Sequence, residues 1–428
     1  MVANFIISNE RQAREIATQI EKIDQALSSE QVLKSIVEGL PREVIDGVRR
    51  SLISEKRELV ELIEAYSEAK SGNFEPLRRR TQNDLGDFLI AARLVQGWSQ
   101  KELARKLGLR EQAIQRYETE RYRSISLGGY LKVARALSVR LTADFLSPLT
   151  RNQLPPFEVM PSEAQRILKH ARENGWLQNK DESDENGINQ LVRDVAEHVE
   201  NHGAPSLLRT GLNVENHSSD WALLSWKAQI ARRAKLIIDN EKIKYQPLEF
   251  SWLMDLVKLS NKENGPILAR DLLKAQGIIL IVEPQIAGMK VDGAAFLVDQ
   301  IPIIGLTLLR DTLDNFWFTL LHEVAHVILH YRTGLAAGFF DDTEAIEVDE
   351  LEEEANKFAS SVLIPEELWS RSPARIAKVA APIERFAEQL GISPAIVFGR
   401  VRMERKNYTI FSDKIGRGKV RKQFLPIF

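Results

Sequence analysis

Apolar residues recur at helical spacing in two stretches of the first 70 positions. In the first stretch they follow one another at intervals of four, three and four residues: Ile16, Ile20, Ile23 and Leu27. The second stretch runs from Pro41 to about Lys70, with one apolar side formed by Val44, Val48, Leu52, Leu59, Ile63 and Tyr66. Two such helices form a hairpin whose narrow seam packs on its own chain or on a second copy. We favour the second copy, so residues 1–75 are predicted to be a dimerisation hairpin.

Short amphipathic helices follow in residues 76–150, where Ser99 is placed to cap one helix and Gly108 to make a tight turn before the next. This segment carries 14 basic and 7 acidic residues, a net charge of +7 in a chain whose total is −2. A basic module on an acidic chain indicates a nucleic-acid-binding domain, although charge alone fits a solvated basic face equally well. The spacing is that of a helix-turn-helix, whose second helix enters the major groove.

Residues 82–145 resemble the Cro/repressor-type (XRE) helix-turn-helix family through Ser99-Gln100, Leu103-Ala104, Leu107-Gly108, Ile114 and Tyr117-Glu118. The resemblance implies binding to a double-stranded DNA operator as a homodimer, with Gln100 at a phosphate. It places the other DNA contacts at Arg110, Glu111, Gln112, Ala113, Gln115 and Arg116. One departure is that Thr119 and Glu120 follow where the family commonly has glycine, so the backbone after the second helix is expected to differ.

The sequence pattern changes from helical to strand-like near residue 277. Prolines at 147–157 mark a joint, and 151–245 is predicted to be a helical linker region. The runs GIILIVEP at 277–284 and AAFLVDQIPIIGL at 294–306 are short, apolar and β-branched, which predicts strands. The predicted fold class is therefore mainly α with a small β-sheet, an α+β arrangement whose fourth and largest part is 246–428.

Three of the seven histidines fall in LHEVAHVILH at 321–330. His322 and His326 are four residues apart, which places both on one helix face with their side chains close enough to share a metal ion. Glu323 lies beside them, where a carboxylate can act as a general base. His330 is eight residues beyond His322, about 12 Å along a continuous helix, so we expect it to support the site without binding the same ion.

Because the chain has no cysteine, a metal ion must be held by histidine and carboxylate side chains. The third ligand is therefore expected to be a carboxylate of the acidic helix at 348–367. Glu352 has Asn356 one turn later and the small residues Ala355 and Ala359 beside it, which allow close packing on the histidine helix. Glu353 is the alternative, since the run of acids permits a shift by one residue.

The wider pattern resembles the ImmA/IrrE family of metallopeptidases across roughly 250–370, through DGAAF at 292–296, PIIGL at 302–306, the HExxH helix, ExxAN and the LIP at 363–365. The resemblance implies a zincin-like domain with Zn²⁺ bound by His322, His326 and Glu352, Glu323 as general base and Asn356 supporting a ligand. Separately, the strand around 294–306, just before the histidine helix, is placed to receive an extended peptide as an added strand, which is how many proteases align a scissile bond.

The absence of cysteine, of a signal-peptide pattern and of a long apolar run favours a cytoplasmic protein that does not enter a membrane. The combined prediction is a dimeric transcription regulator with a zinc endopeptidase domain, which binds an operator and cleaves itself or a repressor or other partner protein. The alternative is the antitoxin of a toxin–antitoxin pair, which neutralises a toxin partner and represses its own operon through a non-proteolytic zincin domain.

Overall fold

The computed structural model describes residues 6–28, 40–78, 81, 85–140, 161–177, 183–202, 220–246, 250–331 and 345–424. Packing divides the chain into two compact units. The N-terminal unit lies within 2–33 and 52–155, and the C-terminal unit lies within 34–51 and 156–428. The predicted joint at 147–157 is outside the described residues. Because these units are divisions by packing, the functional domain boundaries given above stay predictions.

The N-terminal unit is helical. Its helices, the second of which also extends into the C-terminal unit, are α1 Glu10–Ser28, α2 Arg42–Lys70, α3 Glu75–Arg78, α4 Leu85–Val95, α5 Gln100–Leu107, α6 Glu111–Thr119 and α7 Leu127–Ala136. Within this unit the seam of the predicted hairpin is buried in a single chain, as Ile16, Ile23, Leu59 and Tyr66 show. Gln19 Nε2 also donates to Glu55 Oε1 at 2.8 Å. Pairing of this hairpin with a second copy stays a prediction.

Local sequence signals determine where α5 begins and ends. Ser99 accepts a hydrogen bond from the Glu102 backbone while the Glu102 carboxylate accepts from Ser99, which together form a capping box. The helix ends at Gly108, whose φ of 69° lies in the left-handed region that glycine adopts without steric cost. With Leu103, Ala104 and Ile114 buried, α5 and α6 form the expected helix-turn-helix pair.

The C-terminal unit combines helices with one small sheet. Its further helices are α8 Pro161–Glu173, α9 Asp184–His202, α10 Asp220–Asn240, α11 Trp252–Lys258, α12 Gly265–Ala275, α13 Leu313–Leu329, α14 Ala345–Leu363, α15 Glu366–Ser370, α16 Ala380–Leu390, α17 Pro394–Glu404 and α18 Arg421–Phe424. Two 3₁₀ turns lie at Leu259–Asn261 and Pro373–Ile376. The strands are β1 Ile279–Val282, β2 Gly293–Val298 and β3 Ile301–Leu306.

The sheet has the order β1-β3-β2. β1 runs parallel to β3 with Ile279 opposite Ile303, and β2 runs antiparallel to β3 with Gly293 opposite Leu306. The apolar run at 294–306 is thus two strands, joined by a tight turn at Asp299 and Gln300 with φ of 50° and 66°. Because β3 is central, the edges of the described sheet are those of β1 and β2, and of the two strands within 294–306 it is β2 that lies at an edge.

Helices α8 to α10 share a hydrophobic core with the sheet. A buried glutamate at the end of β1 connects them: Glu283 Oε1 accepts from Trp176 Nε1 at 2.8 Å, and its carbonyl accepts from Trp226 Nε1 at 2.9 Å. Arg233 of α10 adds an ion pair to this carboxylate at 2.5 Å. The described helices of 151–245 therefore support the sheet from which the histidine helix α13 follows.

None of the helices in the described ranges combines the length and the apolar character needed to cross a bilayer.

Candidate metal centre and DNA interface

Three of the predicted site residues meet between α13 and α14. His322 Nε2 lies 3.1 Å from His326 Nε2 and 3.3 Å from Glu352 Oε2, and His326 Nε2 lies 3.4 Å from Glu352 Oε1. The HExxH spacing produces the first of these distances, because residues four apart are neighbours on a helix face. Ala355, fully buried on α14, allows the two helices to approach closely. Glu353 points elsewhere and pairs with Lys357 at 2.7 Å.

These separations fit a zinc ion. Ligand atoms held 2.0–2.1 Å from zinc in tetrahedral geometry lie about 3.3 Å from one another. The three measured separations, 3.1, 3.3 and 3.4 Å, match that value, and two imidazoles with one carboxylate are a donor set that zinc accepts. Among the described residues, His322, His326 and Glu352 form a group in which each offers one ligand atom, and these atoms all lie within 4.8 Å of one another.

The protonation of the three donors suits metal binding. Burial lowers the pKa of His326 to about 4, so its imidazole is neutral near pH 7. Burial opposes the charge of Glu352, but hydrogen bonds from His322 and His326 outweigh it and lower its pKa to about 2. Burial also opposes the charge on His322, yet its hydrogen bond to Glu352 leaves the pKa of this imidazole raised. A proton on His322 is thus the main competitor for a metal.

Contacts at the Nδ1 atoms orient both imidazoles. His322 Nδ1 lies 3.1 Å from Asn356 Oδ1, the contact expected of a residue that supports a ligand. His326 Nδ1 lies 2.9 Å from His330 Nδ1, and His330 Nε2 lies 3.2 Å from Glu354 Oε2. His330, at the C-terminal end of α13, is therefore outside the donor group and in contact with one of its members.

The chain of contacts continues to α2. Glu354 Oε1 accepts from Arg50 Nη2 at 2.6 Å, and the hydrogen bond from His330 together with this arginine lowers the pKa of Glu354 to about 2. Ser51 donates to the carbonyl of Leu329 at 2.8 Å. Sequence reasoning missed Arg50 and Glu354, since they are separated by 304 residues and neither lies in a motif.

Glu323 is buried beside the histidines without a hydrogen-bond donor among the described residues. Its side chain is 5 % exposed, and burial raises its pKa to about 7, with the charge of Glu352 adding to the rise. Gly293 makes room for it, because a Cβ at that position would lie 2.7 Å from Glu323 Oε1. A carboxyl group with a pKa near neutrality can both take and return a proton.

Lys227 of α10 is a second ionisable group near Glu323 that sequence reasoning missed. It is 7 % exposed, and its Nζ lies 5.1 Å from the centre of the Phe296 ring. Burial lowers its pKa to about 8, while the charge of Glu323 acts in the opposite direction. The signal in the sequence was a lysine set directly between the apolar residues Trp226 and Ala228.

The predicted DNA contacts lie mainly on one exposed surface of α6 and the turn before it. The exposed members are Arg110, Glu111, Gln112, Gln115 and Arg116, whereas Ala113 is half-buried. Gln100 is half-buried and donates to Glu118 Oε2 at 2.7 Å, so one of its amide hydrogens is already bonded within the unit. The departure after α6 produces left-handed backbone at Arg121 and Tyr122, with φ of 47° and 57°.

A buried ion pair fixes α6 to α4. Arg93 Nε and Nη2 donate to the two oxygens of Glu118 at 2.6 and 2.8 Å, and both side chains are almost completely buried. The guanidinium also donates to the carbonyls of Trp98 and Ser8 at 2.7 and 2.6 Å. Arg93 therefore holds the second helix in place and is not available for DNA, although the sequence count placed it among the basic charges of the module.

Two family models match separate parts of the chain. The model described as helix-turn-helix matches residues 89–143, and the peptidase model described as IrrE N-terminal-like domain matches residues 275–401. The chain joins a helix-turn-helix domain to an IrrE/ImmA-like domain. This finding confirms the predicted fusion, and with the small three-stranded sheet it confirms the predicted fold class. Among curated proteins and among solved structures, no match to the chain was found.

Proposed function

We propose that this chain is a DNA-binding transcription regulator whose IrrE-like domain is a zinc-dependent endopeptidase. The observation that carries the proposal is the set of three donor atoms on His322, His326 and Glu352 at tetrahedral separations, with the buried carboxyl of Glu323 on the same helix. The helix-turn-helix match supports binding to a double-stranded operator.

The residues of the site have separate roles in this proposal. His322, His326 and Glu352 hold the ion, and Asn356 and His330 keep the two imidazoles in the orientation that exposes their Nε2 atoms to it. A zinc ion bound there supplies Lewis-acid chemistry that polarises a peptide carbonyl. The remaining chemistry belongs to the side chains.

Glu323 is the general base. Its carboxylate takes a proton from the water that attacks the peptide bond and returns it to the nitrogen of the leaving amine. A pKa of about 7 suits both transfers near neutral pH, because neither protonation state is strongly favoured. The buried position excludes bulk water, which strengthens the electrostatic interactions of the site.

The substrate is expected to add to the sheet as an extended strand along β2. β2 is an edge strand, and its first residue, Gly293, packs on Glu323. Main-chain hydrogen bonds to such an edge align a peptide without reading its sequence, and pockets beside it supply specificity. A segment of this chain or a partner protein presented in extended form fits this mode of binding.

The test is cleavage by the zinc-loaded protein, alone and with a peptide library derived from a whole proteome, with cleaved bonds identified by mass spectrometry. Wild type is expected to cleave, and Glu323→Gln is expected to keep its zinc and lose cleavage. Glu353→Gln, an exposed neighbour on α14 that pairs with Lys357, should retain both properties. Cleavage by Glu323→Gln at the wild-type rate would contradict the role of the base.

Absence of cleavage from zinc-loaded wild type would instead favour the antitoxin function, in which the domain binds a toxin partner and the protein represses its own operon. DNA binding is tested separately by selecting duplexes from a random pool. Arg116→Ala is expected to weaken binding to the selected operator by about 1–3 kcal/mol. Thr119→Ala, also exposed on α6, should leave the affinity unchanged.

A further inference from the structure

A second basic surface is formed mainly by the last described residues of the chain. Of its members only Arg310 lies within a family match. Residues 413–422 read DKIGRGKVRK and contain five basic residues and one acidic residue. This segment meets the loop before α13, because Gly418 N donates to the carbonyl of Asp311 at 2.9 Å and Arg421 N donates to Asp311 Oδ1 at 3.0 Å. We define the C-terminal basic surface as Arg310, Arg417, Lys419, Arg421 and Lys422, all of which are exposed.

The backbone of this surface is fixed. Ile415, Val420 and Phe424 are buried under it, and Leu313 N donates to the carbonyl of Ile415 at 3.0 Å. Arg421 Nη2 donates to the carbonyl of Leu308 at 2.9 Å, which joins the two segments a second time. Cations on a fixed backbone lose less conformational freedom when they bind a ligand than cations on a loose tail.

The cations of this surface lack an acidic side-chain partner within the described part of the chain. None of the five side chains forms an ion pair with a described residue. By contrast, Lys258, Arg270 and Lys274 of α11 and α12 each pair with an acid, at 3.2, 2.9 and 3.1 Å. A cluster of unpaired cations in one place is unfavourable unless an anion neutralises it.

The kind of anion follows from what the surface lacks. Exposed large hydrophobic residues occur elsewhere in the described chain, but none lies in 308–312 or 413–424. Protein partners bind through buried aromatic or aliphatic anchors, whereas DNA phosphates require only cations and backbone or polar donors. The helix-turn-helix domain already indicates that the chain meets duplex DNA.

We propose that the C-terminal basic surface is a second DNA-binding surface, which binds the phosphates of duplex DNA without reading its sequence. It adds affinity and salt dependence to whatever sequence the helix-turn-helix selects. The proposal is independent of zinc and of peptidase activity.

The test uses the full chain and a 30-base-pair duplex that lacks the selected operator, followed by fluorescence anisotropy over a range of salt concentrations. Neutralising the surface with Arg417→Gln, Lys419→Gln and Lys422→Gln is expected to weaken binding about tenfold or more near 0.1 M salt. The dependence of log affinity on log salt should fall by about 2–3, since each phosphate contact contributes about 0.9. The same loss is expected in the Arg116→Ala background.

The matched control neutralises three cations that already have acidic partners, with Lys258→Gln, Arg270→Gln and Lys274→Gln. It removes the same charge and should change the affinity and the salt slope little. Equal losses in the two triple variants would overturn the proposal in favour of a general effect of net charge, and an unchanged affinity in the first triple would overturn it outright. Surface-dependent binding of polyglutamate or of an RNA hairpin in preference to the duplex would overturn the assignment to DNA.

Discussion

Glu118 and Glu323 are equally buried glutamates, 4 % and 5 % exposed, yet their surroundings are opposite. Glu118 accepts three hydrogen bonds, two from Arg93 and one from Gln100. Glu323 has no hydrogen-bond donor among the described residues, and burial raises its pKa to about 7. A buried carboxylate that is fully paired is held in one position by its partners, whereas one left without a partner is available for chemistry. The first therefore holds the DNA-binding helix, and the second serves the proposed peptidase site.

The largest effect is expected from removing the guanidinium that pairs with Glu118. Arg93→Met leaves the carboxylate of Glu118 buried without its guanidinium, which should lower the free energy of unfolding of the N-terminal unit by about 3–5 kcal/mol. Urea denaturation followed by circular dichroism and by loss of duplex binding measures it. Arg105→Met, on an exposed position of α5, should cost less than about 0.5 kcal/mol. A similar cost for both variants would contradict the role assigned to the buried pair.

A smaller effect is expected from a substitution that displaces Glu323 without removing it. In Gly293→Ala the new Cβ would lie 2.7 Å from Glu323 Oε1, so the carboxylate must move. A shift of about 1 Å in a catalytic group can reduce the rate about 100-fold, and we expect a loss of cleavage approaching that size with zinc binding intact. Gly128→Ala, where a Cβ meets no atom within 4 Å, is the control. Full activity in Gly293→Ala would show that the position of Glu323 does not matter.

The pH dependence of zinc binding distinguishes His322 from the other two ligands, His326 and Glu352. His326 and Glu352 have pKa values of about 4 and 2, so near pH 5–7 they do not hold protons that compete with the metal. The pKa of His322 is raised, so affinity should fall roughly tenfold per pH unit below that pKa and level off above it. Competition assays with a chelator measure this slope. A slope of two would contradict the neutral state of His326, and a slope of zero would contradict His322 as a ligand.

The smallest expected effect is on stability at Glu323 itself. Glu323→Gln removes a buried ionisable group that has no hydrogen-bond partner among the described residues, so the unfolding free energy of the metal-free protein should change by less than about 1 kcal/mol or rise. Urea denaturation measures it under the conditions used for Arg93→Met. A loss approaching that of Arg93→Met would place Glu323 in the scaffold and remove the contrast between the two glutamates.

Signals that act over a few residues were readable in the sequence. The capping of α5 by Ser99 and its end at Gly108 follow from local hydrogen bonding and from the conformational freedom of glycine. The HExxH spacing likewise predicted that His322 and His326 share a helix face, because a helix repeats every 3.6 residues. These features depend on neighbours in sequence, so the residues themselves carry the information.

Features that depend on distant contacts were not readable. Arg93 was counted among the basic charges of residues 76–150, and its partner Glu118 is 25 residues away. The sequence favoured Glu352 and kept Glu353 as the alternative, and only the approach of α14 to α13 places the carboxylate of Glu352 beside the histidines. The turn at Asp299 and Gln300 interrupts an apolar run without the Asn-Gly or Asp-Gly signal that marks such turns.

Zinc stoichiometry is the measurement that tests the central claim most directly. Isothermal titration of the metal-free wild type with zinc should give one ion per chain. Glu352→Ala removes one of three ligands and should weaken binding more than about 100-fold, because loss of a residue that only orients a ligand already costs 10–100-fold. Glu353→Ala should bind zinc as wild type does. Absence of zinc binding by wild type, or equal affinity in wild type and Glu352→Ala, would contradict the assignment of His322, His326 and Glu352 as a zinc site.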